Sequence, residues 1–452
     1  MQPAVLIRLR PTGPWRFGPG DGGDTRLDFT FRSDRLYSAV TLAMRNLGFL
    51  EEWLDATARR PTPAVTFSSL FPFQTDVLFA PPPASLWPPA ASLVVSPSPV
   101  FLSKLRWSAA RFVPLSVVET ILTGQSLLAD QWIPDPESGC LLRRDRPSSS
   151  PFRAQTRSGA AVDRLGNGAA EINSRACVEF ESGSGLWTLA RYADAQSESE
   201  WNSRVEAAFR LLADSGFGAR RTSGWGQAET PEFQRGDWPK LLFPKLSRRA
   251  INGSGSDENA SEPSLYWLLA LFVPASTDGI DWSSGDYRLV RRGGFVENGA
   301  ASGAAKKALN MIAEGSVIAC AKEPVGTAVD VAPDGFPHPA YRAGFAFALK
   351  LPTPGPEAPD IVEAPPGEQL GGPGEELPPC APESSIGQPP SEAETEHPAE
   401  TPEIETPTEP PNPPEEAHAA SAQAEADTQG TASEPAPAEQ PEKGEEAPSD
   451  EL

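Results

Sequence analysis

The chain opens with Met1-Gln2-Pro3-Ala4-Val5-Leu6-Ile7-Arg8-Leu9-Arg10, in which Val5, Ile7 and Leu9 alternate with Arg8 and Arg10. That period of two predicts a half-buried strand. A Gly/Pro loop from Pro11 to Gly23 ends it, and Ser33 then stands as N-cap before Leu36, Val40, Ala43 or Met44, and Leu47, with Gly48 as the stop. The order is β then α. Strands are predicted at Val65 to Phe73 and Val77 to Phe79, followed by a Pro-rich connection from Pro81 to Pro99. A hairpin is predicted where Arg175 to Phe180 meets Leu186 to Tyr192 across the Gly/Ser turn 181–185. A helix over Trp201 to Asp214 places Trp201, Val205, Ala208, Phe209 and Leu212 on one face. After Pro231 and Pro239 a second unit begins, with strands at Leu265 to Val273, Tyr287 to Val290, Val317 to Cys320 and Phe345 to Leu349. A helix over Lys306 to Ile312 is expected among them. The fold class is α+β, two small sandwiches with helices on one side of each sheet.

The formal charge of −23 over 452 residues hides two different polymers. Residues 351–452 hold 25 Asp/Glu against one Lys, with 23 Pro and no Phe, Trp or Tyr, so the tail alone carries −24. The first 350 residues are left at +1 and hold all 11 Trp. The tail has too little apolar surface to offset chain entropy, so its composition predicts disorder. The body is long enough for about two domains, read as 1–235, with a basic insertion at about 141–180, and 236–350. The longest apolar run, Leu265 to Val273, falls far short of the ~20 residues that span a bilayer. With no signal-like opening, a cytoplasmic protein away from membranes is expected. Cys140, Cys177, Cys320 and Cys380 are too dispersed for a zinc site and are expected as reduced thiols.

The most informative local pattern follows the 201–214 helix: Gly216-Phe217-Gly218-Ala219-Arg220-Arg221-Thr222-Ser223-Gly224-Trp225-Gly226. Four glycines let backbone amides approach an anion, the Arg pair supplies charge, and Trp225 offers a stacking face, a set suited to a sugar-phosphate strand. It is not a nucleotide-triphosphate loop, because the glycines follow the helix and Gln227 stands where Lys-Ser/Thr would be needed. The same glycines also suit a C-cap at Gly216 and a turn into the next strand. A second basic stretch, Leu141 to Phe180, holds Arg153, Arg157 and Arg164 among seven arginines against four acids. Its Ser, Gly and Asn content reads as a long mobile loop, able to clamp a single-stranded backbone or simply solvated. Lys104 and Arg106, on alternate positions, put two cations on one strand face.

For catalysis the sequence is poor. The body has one histidine, His338, so neither a His-cluster metal site nor a His-pair ribonuclease is available, and no cofactor is implied. His338 stands between prolines as a lone general base or a loop residue fixed by packing. Asp34, Asp76 and Asp214 read as caps and turn residues.

The motifs Ser33-Asp34-Arg35-Leu36-Tyr37-Ser38-Ala39, Leu70-Phe71-Pro72-Phe73 with Val77-Leu78-Phe79, Arg157 to Arg164, Ser215 to Gly226, and Gly335-Phe336-Pro337-His338-Pro339-Ala340-Tyr341-Arg342-Ala343-Gly344 follow one order over residues 1–350. Together they resemble the RAMP-superfamily subunit of the type III-A (Csm) CRISPR effector that caps the 5′ handle of the guide RNA, the fourth Csm subunit. The resemblance implies two ferredoxin-like (RRM-like) domains, no catalytic role, and binding of the crRNA 5′ handle. It also implies docking to the large polymerase-like subunit and the backbone RAMP subunit. By the same matching, Gly216 to Gly226 is the RNA-contacting loop and Arg153 to Arg164 part of a projecting segment that orders the handle. The acidic tail has no counterpart in the pattern. Two readings from other classes stand beside it: a RAMP guide-processing endoribonuclease using His338, and a scaffold whose glycine loop is packing only.

Overall fold

The structure, a computed structural model, describes residues 2–18, 27–89, 93–94, 107–128, 131–145, 149–162, 170–252, 263–296 and 303–352. All of them lie in one compact unit. Lys104, Arg106, Arg164 and the acidic tail beyond residue 352 lie outside the described residues.

The first half begins with β1 (Gln2–Leu9), α1 (Ser33–Asn46) and α2 (Leu50–Ala56), followed by β2 (Val65–Phe67), β3 (Phe71–Gln74), β4 (Val77–Ala80) and α3 (Leu115–Leu122). Then come β5 (Phe152–Val162), β6 (Ala170–Phe180), β7 (Ser184–Tyr192), α4 (Ala195–Ser215) and β8 (Glu232–Trp238). The principal sheet runs β8-β1-β7-β3-β4 and ends on the short strand Val113–Pro114, with β2 also paired to β7. Its β1, β2/β3, β7 and β8, interleaved with α1 and α4, follow one another as βαββαβ and lie in the spatial order 4-1-3-2.

β1 is central, and both of its faces are covered, which corrects the half-buried expectation. Val5, Ile7 and Leu9 share one core with Leu36, Val40, Ala43 and Met44 of α1 and Trp201, Val205, Ala208, Phe209 and Leu212 of α4. Ala4 and Leu6 point to the opposite face and share a second core with Trp267, Leu269, Val317, Phe347 and Leu349 of the second half. The alternation was real, but the Arg8 and Arg10 face is apolar where the sheets meet.

The second half comprises α5 (Pro244–Asn252), β9 (Ser264–Leu268), β10 (Ile280–Asp286), β11 (Leu289–Arg292), β12 (Leu309–Ile312), β13 (Val317–Cys320), β14 (Gly326–Asp330), β15 (Tyr341–Phe345) and β16 (Ala348–Lys350). Four of these strands form a sheet in the order β10-β13-β9-β16. The expected helix over 306–312 is a strand: Leu309 to Ile312 pairs antiparallel with Leu289 to Arg292. Among the described residues of 263–352 no helix covers this sheet; it shares its core with the first sheet instead. α5 is anchored at its N-terminus, where the buried Glu119 of α3 accepts from the amides of Lys245 and Leu246 at 2.6 and 3.2 Å.

The predicted hairpin is also corrected. Arg175 to Phe180 does not pair with the strand that follows the turn; β6 pairs along its whole length with β5, from Phe152↔Phe180 to Val162↔Ala170. Within the Arg-rich stretch read as a mobile loop, Phe152–Val162 and Ala170–Phe180 therefore form a two-stranded ribbon of eleven-residue strands. Cys140, Cys177 and Cys320 are buried free thiols. No helix among the described residues is long and apolar enough to cross a membrane.

Candidate nucleic-acid interface

α4 ends at Gly216, whose φ of 73° is open to glycine without strain, and the chain folds back on itself at once. Phe217 donates to the Gly226 carbonyl at 3.2 Å, closing the loop 216–226 at its neck. A Cβ at Gly226 would overlap the Phe217 carbonyl, and one at Gly216 would sit 2.6 Å from the Trp225 carbonyl oxygen. These two glycines are therefore required by close backbone approach. Most of the loop's amides are engaged within the protein: Ala219 donates to Arg16, Gly226 to Pro14, Ser223 and Trp225 to Arg220, and Gly224 to Arg221. The charge displayed by the loop accordingly comes from side chains more than from a nest of amides. Arg221, Ser223 and Gly224 are exposed, Arg220 is half-buried at φ 67°, and Trp225 is half-buried rather than part of a core.

One side of this loop forms the wall of a cleft of about 550 Å³. Phe217, Gly218, Ala219 and Arg221 line that wall, and Arg16, Asp34, Arg35 and Ser38 line the floor beside the start of α1. Gly293, Gly294, Phe295, Lys306, Tyr341 and Arg342 close it from the second half. Three stretches far apart in sequence, 33–39, 215–226 and 335–344, thus meet at one place. Five of the lining side chains are cationic, Arg16, Arg35, Arg221, Lys306 and Arg342, against the single carboxylate of Asp34.

Asp34, read from sequence as a cap or turn residue, is 3% exposed and holds the floor together. Arg292 donates to both of its carboxylate oxygens at 3.0 Å, and Arg342 donates to Oδ2 at 3.1 Å. Burial alone would push this carboxyl up, but Arg292 and Arg342 outweigh it and hold Asp34 below the ordinary carboxylate range. Ser33, expected as N-cap, is the first residue of α1; Arg32 is the cap residue and makes no side-chain cap bond. The Ser33 hydroxyl instead accepts from the Leu271 amide at 2.9 Å, which ties α1 to the second half. Arg32 bridges Asp28 and Glu314 at 2.8 and 2.6 Å, a further link across the halves.

The ribbon joins the site at its root. Trp15 and Val178 exchange backbone hydrogen bonds at 2.9 and 2.7 Å, and Arg16 donates to the Ala176 carbonyl at 2.6 Å while its own carbonyl accepts from Ala219. The ribbon cations are partly matched: Arg157 pairs with Glu179 at 2.5 Å, and Arg153 lies 3.7 Å from Glu181. Neither lines the cleft. Sequence reading missed Arg16, Arg35, Arg342, Lys306 and Phe295 as site residues. A signal was present in Gly293-Gly294-Phe295, two glycines before an aromatic that is 54% exposed. His338 is exposed, donates from Nδ1 to the Pro339 carbonyl at 3.1 Å, packs edge-on against Phe336 and does not line the cleft.

Residues 261–351 match the family model of the CRISPR Csm4 C-terminal domain. A chain in the crystal structure of the Csm3-Csm4 subcomplex in the type III-A CRISPR-Cas interference complex superposes with a TM-score of 0.50 at 16% identity, covering 77% of this chain and 100% of its own. Chains in the Csm1-Csm4 cassette in complex with cA4 and with pppApA align with TM-scores of 0.47 and 0.46 at 18% and 19% identity. Each covers 78% of this chain, and 100% and 99% of its own length respectively. No curated protein sequence matches significantly. Residues 261–351 thus match the Csm4 C-terminal domain, and the body shares its fold with a chain of the type III-A Csm3-Csm4 subcomplex.

Proposed function

We propose that this Csm4-type chain is a non-catalytic RNA-binding subunit of a type III CRISPR ribonucleoprotein, acting in the cytoplasm in antiviral defence. It caps the repeat-derived 5′ handle of the guide RNA. It docks to a large polymerase-like subunit, as the Csm1-Csm4 cassettes suggest, and to a backbone RAMP subunit, as the Csm3-Csm4 subcomplex suggests. The observation that carries this reading is the convergence of the glycine loop, the start of α1 and the 341–342 segment on one cleft with five cations and one carboxylate. In this reading the seat lies where the 1–235 and 236–350 domains meet.

The reading is tested by the affinity of the full chain for single-stranded repeat RNA as a function of salt. Each phosphate contact adds about 0.7 to the slope of log affinity against log salt. Arg220→Ala with Arg221→Ala is expected to flatten that slope by up to about 1.4. Parallel lines of equal affinity for wild type and variant would overturn the assignment. The same RNA incubated with the protein, with and without divalent metal, is expected to remain intact. Cleavage abolished by His338→Ala would establish the endoribonuclease reading in its place.

A further inference from the structure

The floor of the cleft holds more positive charge than its carboxylate can match. Arg35, Arg292 and Arg342 surround the single carboxylate of Asp34, which Arg292 and Arg342 already occupy. Arg35 donates to a neutral acceptor, the Gly18 carbonyl, and burial together with the neighbouring Arg292 lowers its pKa. Among the described residues, the two further carboxylates beside this floor, Asp28 and Glu314, are engaged by Arg32. Such a group of partly desolvated guanidiniums is stabilised by a further anion.

The rim above it is aromatic. Arg342 donates to the Gly293 carbonyl at 3.0 Å, and Phe295 stands two residues further on. Phe295 is bridged to Ala305, and Lys306 donates to the Gly294 carbonyl at 2.8 Å, so a backbone ladder holds the phenyl ring at the mouth of the cleft. The ring is 54% exposed, more than packing of the fold explains.

Resting on the RNA-binding reading above, we propose that Arg35 and Arg342 on the floor seat one phosphate of a single-stranded RNA whose adjoining base stacks on Phe295 at the rim. The seat is distinct from the Arg220-Arg221 pair on the glycine loop. An aromatic face takes any base, so this subsite fixes the position of a nucleotide rather than its identity. A carboxylate from a protein partner could share the guanidiniums but would have no use for the ring.

The test uses the full chain and a short, labelled single-stranded RNA, with affinity measured at several salt concentrations. Phe295→Ala is expected to weaken binding about 5- to 150-fold with an unchanged salt slope, as for the loss of one base stack. Arg35→Gln is expected to flatten the slope by about 0.7. Phe295 is exposed, so its truncation leaves thermal unfolding unaltered and decides the matter even where Arg35→Gln fails to fold. If Arg220→Ala with Arg221→Ala weakens binding while Phe295→Ala and Arg35→Gln match wild type, this subsite is overturned and the RNA reading stands. If none of the three changes binding, the RNA reading itself fails.

Discussion

Replacing Asp34 by alanine removes the one carboxylate that two buried guanidiniums share. Asp34 and Arg292 are each 3% exposed and Arg342 is 7% exposed, so neither cation can recover its hydration without local opening. Removing one partner of a buried pair costs about 3 to 5 kcal/mol, chiefly through the charge left behind. Near the midpoint, at about 2.1 cal/mol/K per residue, the roughly 350 residues of the body carry an unfolding entropy of about 0.7 kcal/mol/K, so the melting temperature is expected to fall by about 4 to 7 °C. The folded carboxyl is held below its ordinary range, so its contribution is fully present above the unfolded value of about 4 and is lost as pH falls through the lower folded value. Asp34→Ala should therefore flatten the acid limb of stability against pH, while near neutrality the deficit stays constant. Calorimetry from pH 3 to 8 on wild type and variant measures both effects. A shift under about 1 °C at neutral pH would refute the argument that Asp34 is the hub of the floor.

The neck of the glycine loop separates two kinds of glycine. Gly226→Ala, where a Cβ would overlap the Phe217 carbonyl, is expected to destabilise by more than the 1 to 2 kcal/mol of a left-handed alanine, whereas Gly224→Ala, where a Cβ would meet only Gln227 Oε1 at 3.9 Å, should cost about that amount alone; urea unfolding of both orders them. Trp225→Ala should change unfolding little, because the side chain is half-buried and outside the cores, yet weaken RNA binding by about 1 to 3 kcal/mol if a base stacks there. Deletion of residues 353–452 should leave the melting temperature unchanged, as that segment has no aromatic residue. Deletion from Leu351 onward should lower it, because Leu351 is 4% exposed and donates its amide to the Leu265 carbonyl.

What the sequence made legible follows from how each element is stabilised. The helix over Trp201 to Asp214 was readable because its buried face repeats at helical spacing, and β1 because its neighbours alternate across the sheet. The ribbon was not, since both of its faces meet solvent along much of its length and it therefore lacks apolar alternation; Arg157 and Ser158 of β5 and Ile172 and Ser174 of β6 are exposed. Its pairing over eleven register positions prevailed over the short hairpin suggested by the 181–185 turn. Lys306 to Ile312 has helical propensity, yet its Leu309 to Ile312 part pairs with β11, and Ile312 bridges Phe272, so tertiary pairing overrode local preference. The glycine loop was legible as a tight, closed loop because its composition is local. The floor of the cleft was not, because Asp34 lies more than 250 residues from both Arg292 and Arg342 and only the docking of α1 on the second half brings them together.

Ultraviolet crosslinking of guide RNA to the chain within its reconstituted complex, with crosslinked peptides identified by mass spectrometry, tests most directly whether the cleft is the RNA seat. Nucleotides of the 5′ handle are expected on peptides carrying 217–225, 293–295 and 341–342. Handle crosslinks confined to other surfaces, with these three segments unmodified, would contradict the account.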